Sequence, residues 1–184
     1  MSHAQNVIVN LDYAASTPLR LCAIDAQRAY DESPLAGVNP NSLHSLGRAA
    51  AQELERCRRV LAGTLGRSVR PSEVIFTGGG TEANAMALLG MAEGARASNR
   101  RRTRVLISSI EHDSMLDNIP LLHAAGFTTD LIAPDSYGVI RPETLASMMD
   151  DSVALVSVML ANNETGAIQP ISQLASCAHE HGAL

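Results

Sequence analysis

Val74-Ile75-Phe76-Thr77-Gly78-Gly79-Gly80-Thr81-Glu82-Ala83-Asn84-Ala85-Met86-Ala87-Leu88-Leu89 is the stretch on which the reading of the chain turns. It opens with a short apolar, β-prone run, passes through three glycines and continues into helix formers. That order predicts a strand, a tight turn and a helix N-terminus. The first N–H groups of a helix have no partner within it, and they sit at the positive end of the helix dipole. Such a place accepts anions, phosphate above all, and glycine lets the backbone approach them closely. Thr81 adds a hydroxyl, and Glu82 puts a carboxylate in the first turn. Two readings stay open here: a phosphate cradle, or a strand-to-helix turn that needs Gly only for its geometry. The stretch is neither a Walker loop nor a G-x-G-x-x-G fingerprint.

Outward from this stretch the pattern repeats. Val105 to Ser109, Phe127 to Ala133 and Val153 to Met159 read as strands, the last apolar enough to be buried on both faces. Helical segments lie between them. One follows a loop at Ile110–Ser114, runs to Ala125 and carries Pro120, which predicts a kink or a late start. Another spans Pro142 to Met149, and a third begins at Pro170 and ends at Gly182. Ala183-Leu184 has the look of a further strand. Before the glycine turn, Leu46, Ala50, Leu54, Cys57, Leu61 and Leu65 mark one face of a long helix capped by Asn41 or Ser42, with Cys57 read as core. Thr17 and Pro18 predict the start of an earlier helix reaching Tyr30, and Val7 to Leu11 reads as extended. The alternation implies an α/β fold, a mostly parallel sheet with helices on both faces. No internal repeat and no second domain is evident.

Composition narrows the function. The 184 residues are 46% hydrophobic, enough for a folded core, and the net charge of −5 disfavours nonspecific nucleic-acid binding. No run reaches the roughly 18 apolar residues of a membrane span, and no signal peptide is evident, so a cytoplasmic protein is expected. Cys22, Cys57 and Cys177 are widely spaced, form no metal-ligand pattern and suit a reducing compartment. Arg96, Arg100, Arg101, Arg102 and Arg104 form either a basic patch for a partner or a solvated loop; the absence of interleaved aromatics favours the loop. All 14 basic residues are arginine, so the chain has no side-chain amine to offer.

Ligands of open α/β sheets bind at the carboxyl ends of the strands. Three polar groups fall there: the Gly78–Thr81 turn, Glu111-His112 and Asn162-Asn163-Glu164. Each has a plain alternative. His112 can be a loop histidine bonded to backbone, and Asn162-Asn163 can be only a turn. Taken together they describe a site for a planar cofactor bearing a phosphate.

These residues resemble the cysteine desulfurases, pyridoxal-phosphate (PLP) enzymes of the class V aminotransferase group. The resemblance rests on Asn39-Pro40-Asn41-Ser42-Leu43-His44-Ser45-Leu46-Gly47, on Phe76 to Asn84, on Glu111-His112 and on Val156 to Gly166, with Leu11 to Pro18 also fitting. Within the group the Asn39–Gly47 and Val156–Gly166 segments are most similar to the NifS type associated with nitrogen fixation. The resemblance implies a fold-type I enzyme that converts L-cysteine to alanine. The sulfur passes to an enzyme cysteine as a persulfide, then to an iron–sulfur scaffold protein. It implies that Gly80 and Thr81 hold the PLP phosphate. His112 would stack on the ring and help proton transfer, Asn163 would contact the ring oxygen and the substrate side, and Asn39 would lie near the site. A homodimer is implied for the full-length protein, with no metal, nucleic acid or membrane.

The triple glycine departs from the small-residue pattern usual in the family. The larger departure is coverage. The chain resembles the first half of a desulfurase, the N-terminal part of its PLP-binding large domain. The aspartate that pairs with the pyridine nitrogen, the lysine that bonds the cofactor, the catalytic-loop cysteine and the small domain are missing. Residues 1–184 by themselves are therefore expected to be inactive and poorly folded. The alternatives are another class V PLP enzyme such as a selenocysteine lyase, a truncated remnant or partner half, and a non-PLP binder of a phosphate ligand.

Overall fold

The computed structural model describes residues 9–184. The chain divides into two compact units, Met1–Phe76 and Thr77–Leu184.

The first unit is built on two helices, α1 (Leu21–Asp31) and α2 (Ser45–Leu65). Helix α1 starts later than Thr17-Pro18 predicts. Arg20 is its N-cap, no side chain bonds there, and none of its residues is buried, so nothing anchors an earlier turn. Helix α2 is capped by neither Asn41 nor Ser42. His44 caps it, its Nδ1 accepting the Gly47 N–H at 3.3 Å. Gly66 closes it with a positive φ of 140°. Of the expected apolar face only Ala50 is buried; Leu54 and Cys57 are half-buried and Leu46, Leu61 and Leu65 are exposed. Cys57 is therefore not a core residue. The expected extended run at Val7 to Leu11 lies partly outside the described residues, and 9–11 form no strand.

Val74 to Phe76 is not a strand either. It follows a short 3₁₀ turn, Pro71–Glu73, and remains irregular. A β-prone run becomes a strand only when a neighbour completes its ladder of hydrogen bonds. Here the Val74 carbonyl accepts instead from Arg58 Nε at 3.3 Å, and Arg58 lies over the Phe76 ring, 5.6 Å from its centre.

In the second unit α3 (Gly80–Ser98) leads to β1 (Arg104–Ser108). Next come α4 (Asp113–Leu116) and α5 (Ile119–Ala124), the break between them coming where Pro120 enters the first turn of α5. Then follow β2 (Thr128–Ile132), α6 (Pro142–Met148), β3 (Val153–Ser157) and α7 (Ile171–Glu180). The three strands form a parallel sheet in the order β2-β1-β3. Leu184 pairs with the free side of β3, giving its N–H to Ala154 and accepting that of Val156.

The alternation of side chains along β1 builds two cores. Val105 and Ile107 pack with Leu88 and Ala92 of α3 and Leu122 of α5. Leu106, on the opposite face, packs with Leu145 of α6 and Leu174 and Ala178 of α7. Helices therefore cover both faces, as the alternation predicts.

The arginine cluster is not simply a solvated loop. Arg102 donates to the carbonyls of Val153 at 2.6 Å and His181 at 2.7 Å. Arg104 pairs with Asp130 and Asp150. Arg96 donates to the Ala125 carbonyl and stacks 4.1 Å over Phe127. Three of the five arginines thus tie neighbouring elements together.

Candidate functional site

The chain leaves β1 through α4 and α5 on one face of the sheet, and leaves β3 through α7 on the other. The loops after these adjacent strands part in opposite directions, and an open α/β sheet has its crevice where that happens. A cleft of about 340 Å³ lies there, lined by residues 110–113 and 162–165. His112 and Asn163, read from sequence as functional, both line it.

Asn162 and Asn163 divide the two expected roles. Asn162 makes the turn: its Oδ1 accepts the Glu164 N–H at 3.0 Å, the Thr165 N–H at 2.8 Å and the Thr165 hydroxyl at 3.1 Å. Its Nδ2 donates to the Ile110 carbonyl at 3.0 Å, which holds the two walls of the cleft together. Asn163 is exposed, and its amide has no partner among the described residues.

His112 is the N-cap of α4. Its Nδ1 accepts the Ser114 N–H at 3.0 Å, so the plain reading of a backbone-bonded loop histidine is realised on one edge of the ring. Ser114 Oγ lies 2.9 Å from the same nitrogen and takes a hydrogen bond of 2.8 Å from Asn84 Nδ2. Nε2 has no partner among the described residues, and the ring is exposed at the cleft. Asn84 stands four residues after Gly80, one turn along α3. A hydrogen-bonded chain thus joins the start of α3 to His112.

At that start the first intrahelical bond is made by the Ala83 N–H to the Gly79 carbonyl. The N–H groups of Gly80, Thr81 and Glu82 precede it and have no carbonyl within the helix. Glu82 takes one donor of the turn, that of Gly78, at 2.6 Å, so the turn is less open than its sequence suggests. Around Gly79 and Gly80 a Cβ would meet nothing within 4 Å. Thr81 is exposed. Free N–H groups, a hydroxyl and open space fit a phosphate group.

Asn39 lies in the first unit. Its Oδ1 accepts the Asn41 N–H at 2.9 Å in the turn before α2. In that unit a second hollow, of about 490 Å³, has Tyr30, Leu54 and Cys57 in its walls and holds none of the polar constellations.

Two contacts of this region escaped the sequence reading: the bond that Glu111 makes, and the pairing of Ser114 with Asn84. Glu111 is half-buried, and its Oε1 accepts the Met159 N–H. Burial pushes its carboxyl above the usual range, while the Met159 N–H pulls it back. Ser114 and Asn84 carry no local signal either, because their contact spans 30 residues. Among the described residues no group of three or more His, Cys, Asp or Glu side chains could hold a metal, and no helix is long and apolar enough to cross a membrane.

The family model for class-V aminotransferases matches residues 9–184. The chain belongs to this family. Several relatives of this class-V aminotransferase chain are cysteine desulfurases by name. An IscS-like cysteine desulfurase of Mycobacterium tuberculosis is 38% identical over 175 residues, which cover 94% of this chain and 43% of the relative. A cysteine desulfurase of Bradyrhizobium diazoefficiens is 40% identical over 146 residues, or 79% of this chain and 36% of the relative. The solved structure of a NifS-like protein superposes with a TM-score of 0.82 at 30% identity, covering 93% of this chain and 45% of that one. The class-V aminotransferase chain thus spans less than half the length of these relatives.

Proposed function

We propose that these residues are the phosphate- and ring-holding part of a PLP-dependent cysteine desulfurase. One observation carries the reading. His112 is bonded through Ser114 and Asn84 to the helix that opens at Gly80, and it shares a cleft with Asn163. A flat imidazole and a free amide share that cleft, and the phosphate donors at the start of α3 are tied to its wall by hydrogen bonds. The relatives named as cysteine desulfurases support cysteine as the substrate class.

In this reading the N–H groups of Gly80 and Thr81 and the Thr81 hydroxyl hold the phosphate. The His112 ring covers the pyridine face and takes part in proton transfer. The Asn163 amide donates to the ring oxygen and reaches the substrate side. Bound there, PLP supplies an electron sink for bond cleavage at the amino acid. Residues 1–184 contain no lysine, so they contribute contacts to phosphate and ring and not the amine that bonds the cofactor. By themselves they are inactive. The overall reaction takes L-cysteine to L-alanine and leaves its sulfur on an enzyme thiol as a persulfide. That sulfur serves an iron–sulfur scaffold protein, in a cytoplasmic homodimer of the NifS type that supports nitrogenase cluster assembly.

The test is alanine production by the protein at its native length, loaded with PLP. Alanine from L-cysteine, with an equal amount of sulfide once a reducing thiol is added, is the expected result. Turnover of selenocysteine with none of cysteine would move the assignment to a selenocysteine lyase. Nucleotide binding without PLP binding would move it to a phosphate-ligand binder.

A further inference from the structure

The hydrogen bonds around His112 have a direction. The Ser114 backbone N–H can only donate, so the lone pair on Nδ1 must be free to receive it. The single ring proton of a neutral His112 then belongs on Nε2. Asn84 fixes the next link. Its amide N–H occupies a lone pair of Ser114 Oγ, which leaves the hydroxyl proton free to point at Nδ1, 2.9 Å away. Each group donates toward the ring: Asn84 to Ser114, and Ser114 to His112.

We infer that Asn84 and Ser114 are positioning residues that hold His112 as the Nε2–H tautomer and present a hydrogen-bond donor at the open edge of the ring. This deepens the proposed role of His112 and rests on it for its catalytic meaning; the tautomer itself does not. The two bonds at Nδ1 also restrain the ring about its side-chain torsion, which keeps one face available to a planar partner. Asn84 stands one turn behind Gly80 on α3. The helix that would bind the phosphate therefore also reinforces, through the Ser114 hydroxyl, the tautomer that the Ser114 N–H selects.

The experiment is ¹⁵N-histidine NMR on the protein at its native length, with and without PLP, the His112 signals being assigned with His112→Gln. In the wild type Nδ1 should show the shift of a bare ring nitrogen and Nε2 that of a protonated one. Asn84→Asp reverses the chain. Its carboxylate takes the Ser114 hydroxyl proton and turns an oxygen lone pair toward Nδ1. The ratio of Nδ1–H to Nε2–H should then rise by about tenfold, the size of one reversed charge-assisted hydrogen bond. Asn84→Ala, which only frees the hydroxyl, should give a smaller change in the same direction. The signals of His123 and His181 report whether the fold is kept. A wild-type His112 protonated on Nδ1 overturns the inference, as does an Asn84→Asp spectrum identical to wild type. If Asn84→Asp does not fold, the wild-type spectrum and Asn84→Ala decide. None of these readouts needs cysteine turnover, so a failed alanine assay would sink the desulfurase reading without touching this one.

Discussion

The Glu111 side chain accepts the backbone N–H of Met159 and so joins the loop after β1 to the segment after β3. The cleft that holds His112 and Asn163 lies between those segments. The joint has a pH dependence whose sign can be worked out. Burial raises the carboxyl of Glu111, and the Met159 N–H only partly opposes this. The folded state therefore favours the protonated acid. The stability this confers is complete below the ordinary carboxylate range and is lost as pH rises through the raised folded value. Glu111→Gln keeps an oxygen to accept from Met159 and removes the titration. The difference in unfolding free energy between wild type and Glu111→Gln should drift against the wild type across that window. Urea titrations at a series of pH values measure it; parallel curves would show that the carboxyl is not buried as described.

Arg102 donates to the carbonyls of Val153 and His181. Val153 is buried, so its carbonyl has no water to turn to when the guanidinium is removed. Arg102→Ala should cost about 1–3 kcal/mol, the penalty for stranding a buried acceptor. Arg102→Lys, with one compact donor head in place of a fork, should recover part of it. A shift in denaturant midpoint at constant slope is the expected record.

Gly47 is the tightest glycine of the first unit. A Cβ built on it would stand 2.1 Å from the Ser42 carbonyl oxygen, and its N–H is the one that His44 caps. Gly47→Ala forces the start of α2 to shift, at roughly 1–3 kcal/mol for overpacking. Hydrogen exchange should quicken in the first turns of α2 and stay unchanged in the sheet. Equal protection in both proteins would count against the geometry of this turn.

Thr81→Ala removes one donor from the proposed phosphate site and leaves the fold alone, because the residue is exposed. PLP affinity at native length should fall about tenfold, as for one hydrogen bond to a charged oxygen. Fluorescence titration with PLP reads this directly. Unchanged affinity would move the phosphate away from the start of α3.

The sheet was legible because two of its three strands, β1 and β3, are locally unmistakable. Val105 to Ile107 and Val153 to Leu155 are apolar on both faces, and such runs belong inside. The Pro120 break was legible too, since it needs no partner to act. Val74 to Phe76 misled for the converse reason: β-propensity is local, but a strand exists only through a neighbour. His112 and Asn163 were read from their place at strand ends, and both line the cleft. Glu111 was placed at the same strand end as His112, but its bond was not legible, because its partner is 48 residues away. The arginine cluster gives the same lesson. A run of charge says nothing of carbonyls 51 and 79 residues away.

Those separations also bear on the order in which the molecule assembles. A contact that closes so long a loop gains nothing until β1, β3 and the end of α7 are already in place. The Arg102 bonds therefore belong to the last steps of folding and are among the first lost when the native state opens. Interactions absent from the transition state act on the rate of leaving the native state and hardly on the rate of reaching it. In a chevron plot Arg102→Ala should lift the unfolding arm and leave the refolding arm where it is. The guanidinium then works as a latch that governs how long the folded chain persists.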